Sequence, residues 1–260
     1  MPVVPPTGLP TSIQTARVVA IVPARYGSTR LPGKALASIA GRPIIQHVYE
    51  RAAAASLVDA VLVATDDQRI ADAVAAFGAT AVMTRADHPT GTDRLAEVAT
   101  HLSSEIIVNV QGDEPMLDAR AIDACVRALL DHPDDVMSTV RRPLADDEAD
   151  NPAVVKVVVD HADVALYFSR SPIPHVRAGN TAPPRWAHLG LYGYRRTFLL
   201  TLAGLTPTPA ERAESLEQLR VLEHGYRIRC VATSSTSIGV DTPEDLERVR
   251  GLFAAREAHQ

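Results

Sequence analysis

The 260 residues are 46% hydrophobic and 22% charged, with 26 Lys and Arg against 31 Asp and Glu for a formal charge of −5. This balance excludes a mainly disordered chain and leaves no overall basic footprint for nucleic acid or an anionic membrane surface. No apolar run approaches the roughly 20 residues of a membrane helix, and Cys125 and Cys230 lack CxxC spacing, so free thiols in a reducing, cytoplasmic setting are expected.

The length allows one or two domains. Residues 1–10 hold four prolines and neither a basic segment nor a continuous apolar one, which predicts an extended, flexible leader over 1–16 and no secretory signal. The ordered domain is expected over 17–260. Residues 18–22 are a continuous apolar run, the pattern of a strand buried on both faces. Pro23 ends it and a loop runs to about Gly41. A helix is predicted from Pro43, with Ile44, Ile45, Val48 and Ala52 as its stripe. Residues 61–64 form a second buried strand, followed by Ile70, Ala73, Val74 and Phe77 at helical spacing and a stop at Gly78. Short strands are predicted over 80–83, 105–110 and 136–140, with a helix through Ile122, Val126 and Leu129 between the last two.

Strand and helix thus alternate to about residue 142, as in an α/β fold whose ligand sites collect at the C-terminal ends of parallel strands. Beyond it, residues 154–159, 164–168 and 188–194 read as strands without long helices, an antiparallel lobe over about 150–215. A helix at 216–224, a strand at 226–232 and a helix from Thr242 return the chain to the main sheet over about 216–255.

The loop after the first strand carries Arg25, Arg30 and Lys34, the hydroxyls of Ser28 and Thr29, and Gly27 and Gly33. Cations and glycines at a strand end suit a polyphosphate, because glycine lets backbone N–H groups approach and Arg and Lys neutralise charge. The loop is neither a Walker A sequence nor GxGxxG: Ser28 stands where the first requires glycine, and Ala35 follows Gly33-Lys34. Asp113 follows another strand and a glycine. It fits a Mg²⁺ ligand or a turn-forming aspartate equally. Asp241 fits a metal ligand or the cap of the last helix. His188, Tyr192 and Tyr194 share one face of a strand, suited to a hydroxylated ligand or to plain packing.

The loop 23–34 resembles the signature of sugar-activating nucleotidyltransferases. The likeness continues through Met83-Thr84-Arg85-Ala86-Asp87-His88, Gly91-Thr92-Asp93-Arg94-Leu95-Ala96-Glu97 and Asn109-Val110-Gln111-Gly112-Asp113-Glu114-Pro115. It extends to Tyr167-Phe168-Ser169-Arg170, His188-Leu189-Gly190-Leu191-Tyr192-Gly193-Tyr194, Leu216-Glu217-Gln218 and Gly239-Val240-Asp241-Thr242-Pro243-Glu244-Asp245. The set closely resembles the 3-deoxy-D-manno-octulosonate cytidylyltransferase family, from about Val18 to Arg250.

The resemblance implies a Rossmann-like nucleotide-diphospho-sugar transferase fold, with a central mixed, mostly parallel sheet flanked by helices and a smaller antiparallel lobe. It implies CTP and 3-deoxy-D-manno-octulosonate as substrates, Mg²⁺ as cofactor with two ions in the ternary complex, and a homodimer through the lobe. Family pattern assigns Ala24, Arg25, Ser28, Lys34, Arg85, Thr90, Gly91 and Arg94 to CTP. It assigns Gln111, Arg170, His188, Tyr192, Glu217 and Gln218 to the acid sugar, and Asp113 and Asp241 to the metal. Lys34, Arg25, Asp113 and Asp241 are the implied catalytic set, with Glu114 and Asp66 as weaker acidic candidates. Gly27 stands where the family commonly has alanine, and Thr90 and Asp93 stand where it commonly has Ser and Glu. A cytidylyltransferase for a related acid sugar, of the CMP-sialic acid synthetase type, and a nucleotide-sugar glycosyltransferase are the rival readings. The second lacks a clear D-x-D signature here.

Overall fold

Buried β-branched runs separated by turn residues build the frame. The computed structural model describes residues 3–27 and 30–257. Its first half contains β1 (Val3–Val4), α1 (Thr11–Gln14), β2 (Val18–Ala24), the small hairpin β3 (Ser38–Ile39) and β4 (Arg42–Pro43), α2 (Ile44–Ala53), β5 (Ala60–Thr65), α3 (Gln68–Ala76), β6 (Ala81–Met83), α4 (Gly91–Ala99), β7 (Ile106–Asn109) and α5 (Ala119–Asp131). The second half adds β8 (Met137–Pro143), β9 (Lys156–Val159), β10 (Ala165–Ser169), β11 (Trp186–Arg195), α6 (Arg196–Ala203), α7 (Pro209–Glu214), α8 (Gln218–Glu223), β12 (Ile228–Ala232) and α9 (Pro243–Glu257).

The main sheet runs β1-β6-β5-β2-β7-β11-β8-β12, with β9 pairing to both β10 and β11. From β1 to β7 all pairs are parallel. β11 enters antiparallel to both β7 and β8, and β12 runs parallel to β8. The side chains of β2 alternate between two apolar layers. Ala20 and Val22 pack with Ile44, Ile45, Ile70 and Ile122, while Val19 and Ile21 pack with Leu95, Val98 and Leu199. Helices therefore cover both faces, and the mixed, mostly parallel sheet with a smaller antiparallel lobe is the expected Rossmann-like architecture.

Helices α4, α6 and α7 were not anticipated from apolar spacing. The signal for α4 was local. Thr90 accepts from the Asp93 amide at 3.1 Å, the Asp93 carboxylate accepts from the Thr90 amide at 3.2 Å, and this capping box starts the helix at Gly91. The cysteines are buried and unpaired, as expected.

The leader expected over 1–16 lies against the domain along its described residues 3–16. β1 extends the sheet beside β6, with Val3 opposite Ala81 and Val4 opposite Val82. Leu9 is only 4% exposed, Gln14 Nε2 donates to the Leu9 carbonyl at 2.8 Å, and the Ser103 amide donates to the Gln14 carbonyl at 2.7 Å. The physical reason is the open edge of β6, which otherwise presents unpaired backbone groups. The prolines fall where a missing N–H costs nothing: Pro5 precedes a short helical turn at Pro6–Gly8, and Pro10 precedes α1.

Leu9→Ala is expected to lower stability by about 2 kcal/mol, the lower end for truncating a buried leucine, and removal of residues 1–16 to lower it further. Urea unfolding followed by circular dichroism reads both changes. Midpoints equal to that of the full chain would show that the leader contributes nothing.

Candidate active site

The cationic loop is shaped at the end of β2. The Gly33 amide donates to the Tyr26 carbonyl at 3.1 Å, folding the loop back on itself. Gly33 has φ +68°, and a Cβ there would lie 3.1 Å from the Tyr26 ring, so glycine is required twice over. A short helical turn, Lys34–Leu36, then directs Lys34 inward. The Arg69 guanidinium lies 3.3 Å over the Tyr26 ring and holds the Asp67 carboxylate through two nitrogens. Asp67 also caps α3 through the Arg69 amide. Ser28, expected on the nucleotide side, lies outside the described residues.

Two acidic turns meet this loop. After β7 the chain passes beneath the end of β2, where a Cβ on Gly112 would lie 2.6 Å from the Pro23 carbonyl oxygen, so only glycine permits the approach. The Asp113 carbonyl accepts from the Val240 amide at 2.9 Å, which ties the turn after β7 to the turn before α9. That helix is capped by Thr242 and Asp245: the Asp245 carboxylate accepts from the Thr242 amide at 3.0 Å and the Thr242 hydroxyl accepts from the Asp245 amide at 3.2 Å. Asp241 is thereby released from capping.

Its carboxylate turns to Lys34 instead. The Lys34 ammonium donates to Asp113 Oδ2 at 2.6 Å and to Asp241 Oδ1 at 2.9 Å, and Arg30 Nη2 reaches Asp241 Oδ2 at 3.0 Å. Burial pulls the Lys34 pKa down, but the charges and hydrogen bonds of the two aspartates outweigh it and hold it above the ordinary lysine value. Burial would raise Asp241, yet Lys34 and Arg30 hold its carboxyl below the usual range. These groups line a cleft of about 380 Å³ whose remaining walls include Ala24, Arg25, Thr90, Gly91, Arg94 and Gln111.

Among the described residues no group of three or more His, Cys, Asp or Glu is placed to hold a metal. Two carboxylates converging on one cation form a partial site with hard oxygen donors. Mg²⁺ takes such a site when phosphate and water oxygens complete its shell.

The wall expected on the nucleotide side is the first turn of α4. Arg94 lines the cleft but is held from behind, donating to Asp66 Oδ2 at 3.0 Å and to the Thr84 hydroxyl. Asp66 thus orients an arginine and does not join the acidic pair. Glu97 receives the Arg85 amide at 3.1 Å and a short hydrogen bond from His88. Burial would raise Glu97, but the His88 ring and the Arg85 amide outweigh it and lower its pKa. The Arg85 side chain turns to Asp87 at 3.2 Å on the surface and is not among the residues lining the cleft. Arg30 lines it as one of the loop cations, and His88, Pro89 and Gly112 line it without having been assigned there.

Beside the cleft, β11 carries the cluster expected to meet an acid sugar. Its pairing with β8 shifts between Leu189 and Tyr192, and at Gly190 a Cβ would lie 3.6 Å from Gln111 and 3.7 Å from Glu114 Oε1. The bulge brings the two clusters together. His188 shares a hydrogen bond with the Thr139 hydroxyl at 2.9 Å, and burial lowers its pKa to about 3, so its ring is neutral. Tyr192 donates to Gln218 Oε1 at 3.2 Å. Thr92 donates to Glu217 Oε2 at 2.5 Å, while Glu217 Oε1 and Gln218 Nε2 are buried without a hydrogen-bond partner. Arg170 is held by backbone. Its guanidinium is engaged by the carbonyls of Glu214, at 2.7 Å, and Pro152, at 2.9 Å, at the end of β10, and does not line the cleft.

Residues 19–228 match the family model described as cytidylyltransferase. A 3-deoxy-manno-octulosonate cytidylyltransferase of Solibacter usitatus is 54% identical over 240 residues, covering 92% of this chain and 95% of its own length. The enzyme of that description from Syntrophotalea carbinolica is also 54% identical, covering 90% of this chain and 99% of its own. Among solved structures, a CMP:2-keto-3-deoxy-manno-octonic acid synthetase complexed with CTP superposes with a TM-score of 0.89 at 47% identity, covering 92% of this chain and 99% of that one.

Glu114 supplies a measurable signature of this crowding. Burial, followed by the charge of Asp113, raises its carboxyl from 4.5 to about 7. A carboxyl raised on folding favours the folded state at low pH and loses that advantage as pH climbs through the folded value. In metal-free buffer, Glu114→Gln is expected to gain thermal stability relative to the unaltered protein between pH 4.5 and 7.5, with no further gain above. Melting curves across that range that stay parallel would overturn this assignment.

Proposed function

The chain belongs to the cytidylyltransferase family, and we propose that its cleft transfers the CMP moiety of CTP to 3-deoxy-D-manno-octulosonate. The reaction releases diphosphate and activates the sugar for lipopolysaccharide core synthesis. The observation that carries the reading is the meeting of Asp113 and Asp241 at one cation, beside Arg25 and Arg30, in a chain 54% identical to such enzymes along nearly its whole length.

The sugar's anomeric hydroxyl attacks the α-phosphorus of CTP, an O–P bond forms, and diphosphate leaves in line. Little covalent chemistry falls to the protein, so positioning and electrostatics dominate. Arg25, Arg30 and Lys34 receive the triphosphate. The first turn of α4, with Thr90, Gly91 and Arg94, closes the nucleotide side. Gln111, Tyr192, Glu217 and Gln218 receive the sugar hydroxyls, and the neutral His188 ring exchanges a hydrogen bond without adding charge. Asp113 and Asp241 would hold Mg²⁺, with a second ion accompanying the triphosphate; the metal supplies charge neutralisation and lowers the pKa of an oxygen bound to it. Lys34 lies between the two aspartates and would turn to phosphate oxygens in the ternary complex.

The reading includes a homodimer through the antiparallel lobe, supported by Leu166 and Tyr167 on β10, which are 62% and 38% exposed. It also includes a cytoplasmic location. In support, both cysteines are free, and no helix among the described residues is long and apolar enough to cross a membrane.

Asp113→Asn and Asp241→Asn are each expected to lose turnover by about a hundredfold or more, exceeding the loss typical for groups that only support a metal ligand. Their circular dichroism should stay unchanged. Lys34→Ala is expected to raise the CTP concentration needed for half-maximal rate. Diphosphate release from CTP with a panel of 2-keto-3-deoxy sugars checks all three and separates this substrate from sialic acid. Near-normal rates in either aspartate variant would remove the metal role.

A further inference from the structure

We propose that Thr92 is a positioning residue that fixes the Glu217 carboxylate for a hydroxyl of the acid sugar, and so sets sugar affinity independently of CTP affinity. This inference rests on the reading of the site given above. Thr92 is the second residue of α4, directly after Gly91 in the cleft wall, and is 3% exposed. Its hydroxyl donates to Glu217 Oε2 at 2.5 Å, and the Thr90 side chain also faces that carboxylate. Glu217 sits at the start of α8 yet makes no capping hydrogen bond there. Its carboxylate turns inward instead.

The other oxygen is incomplete. Glu217 Oε1 is buried without a hydrogen-bond partner, and so is the adjacent donor, Gln218 Nε2. The nearby cation does not compensate. Arg220 Nη2 is 3.7 Å from Glu217 Oε1, and this guanidinium is already bound to Glu211 at 2.8 and 2.5 Å. A buried acceptor and a buried donor left open on consecutive residues call for partners that bring both functions. A hydroxyl does so, and a polyhydroxylated sugar offers several. Thr92 decides which carboxylate oxygen stays open and where it lies, because its bond to a charged acceptor is the strong, short kind. Without that bond the carboxylate is free to turn toward Arg220.

Thr92→Val keeps the shape and removes the O–H. Steady-state diphosphate release is expected to show the KM for 3-deoxy-D-manno-octulosonate raised about tenfold or more, as for a lost hydrogen bond to a charged group. The KM for CTP should stay within about twofold. Thr92→Ser should restore most of the loss. Adding Thr92→Val to Glu217→Gln should change the sugar KM little beyond Glu217→Gln alone, since both act on one interaction. If Thr92→Val does not fold, Thr92→Ala against Thr92→Ser reads the same ratio. A sugar KM within twofold of normal, an equal rise in both KM values, a serine variant no better than valine, or fully multiplying effects would each overturn the role of Thr92. Failure of the unaltered protein to release diphosphate from these substrates would instead overturn the functional reading itself.

Discussion

A single ammonium between two carboxylates organises this molecule. Asp113 comes from the turn after β7 and Asp241 from the turn before α9, and Lys34 from the loop after β2 binds both. Parallel strands deliver these turns to one edge of the sheet, because right-handed crossovers place all their C-terminal ends together. The backbone then completes the alignment. The Val240 amide on the Asp113 carbonyl keeps the acidic turns in register, and Gly112 lets one of them slip under Pro23. Neither aspartate could approach the other so closely without the intervening cation, since two partly buried carboxylates repel.

The same principle of indirect support recurs around the cleft. Asp66 and Asp67 are consecutive residues at the end of β5, yet each serves a different wall. Asp66 holds Arg94 under the nucleotide side, and Asp67 holds Arg69, which lies over Tyr26 and steadies the cationic loop. Glu97 gathers the Arg85 amide and His88 in the same manner. Groups that face the cleft are thus oriented by ones that do not, which fixes their geometry before any ligand arrives.

Much of this was legible in the chain itself, for identifiable reasons. The apolar run at 18–22 could hardly be anything but a doubly buried strand, and the cations after it fell where such folds bind ligands. Asp241 could not be assigned from sequence, because the choice between ligand and cap depends on Thr242 and Asp245 pairing with each other. Arg170 shows the opposite difficulty. The resemblance places it with the acid sugar, and nothing in its motif foretells that the carbonyls of Glu214 and Pro152 hold its guanidinium. Backbone acceptors contributed by distant turns leave no trace in residue type. The place of the leader is hidden for a related reason: its prolines do not reveal that an open strand edge receives Val3 and Val4. Helix α4 was the avoidable omission, since Thr90 and Asp93 spell a capping box.

An inventory of charge explains why the two substrates must share one electrostatic centre. The cations around the sugar-side cluster are already held by protein groups. His188 is neutral, Arg220 belongs to Glu211, Arg141 pairs with Asp163, and Arg170 is bound to carbonyl oxygens. A sugar carboxylate brought here meets hydroxyls and amides, with the Arg170 guanidinium, held only by neutral carbonyls, as the nearby positive charge. Across the bulge at Gly190, the cleft holds Arg25, Arg30 and Lys34 against Asp113 and Asp241 before any substrate enters. Three cations facing two aspartates leave little surplus, while a triphosphate and a carboxylate add several negative charges more. Side chains alone cannot balance that sum in a partly buried site, where like charges repel strongly. The aspartates, unfavourable neighbours for an anionic substrate in isolation, make sense as the protein's half of a site for a divalent ion. Lys34 is the counter-ion that lets the two aspartates lie together.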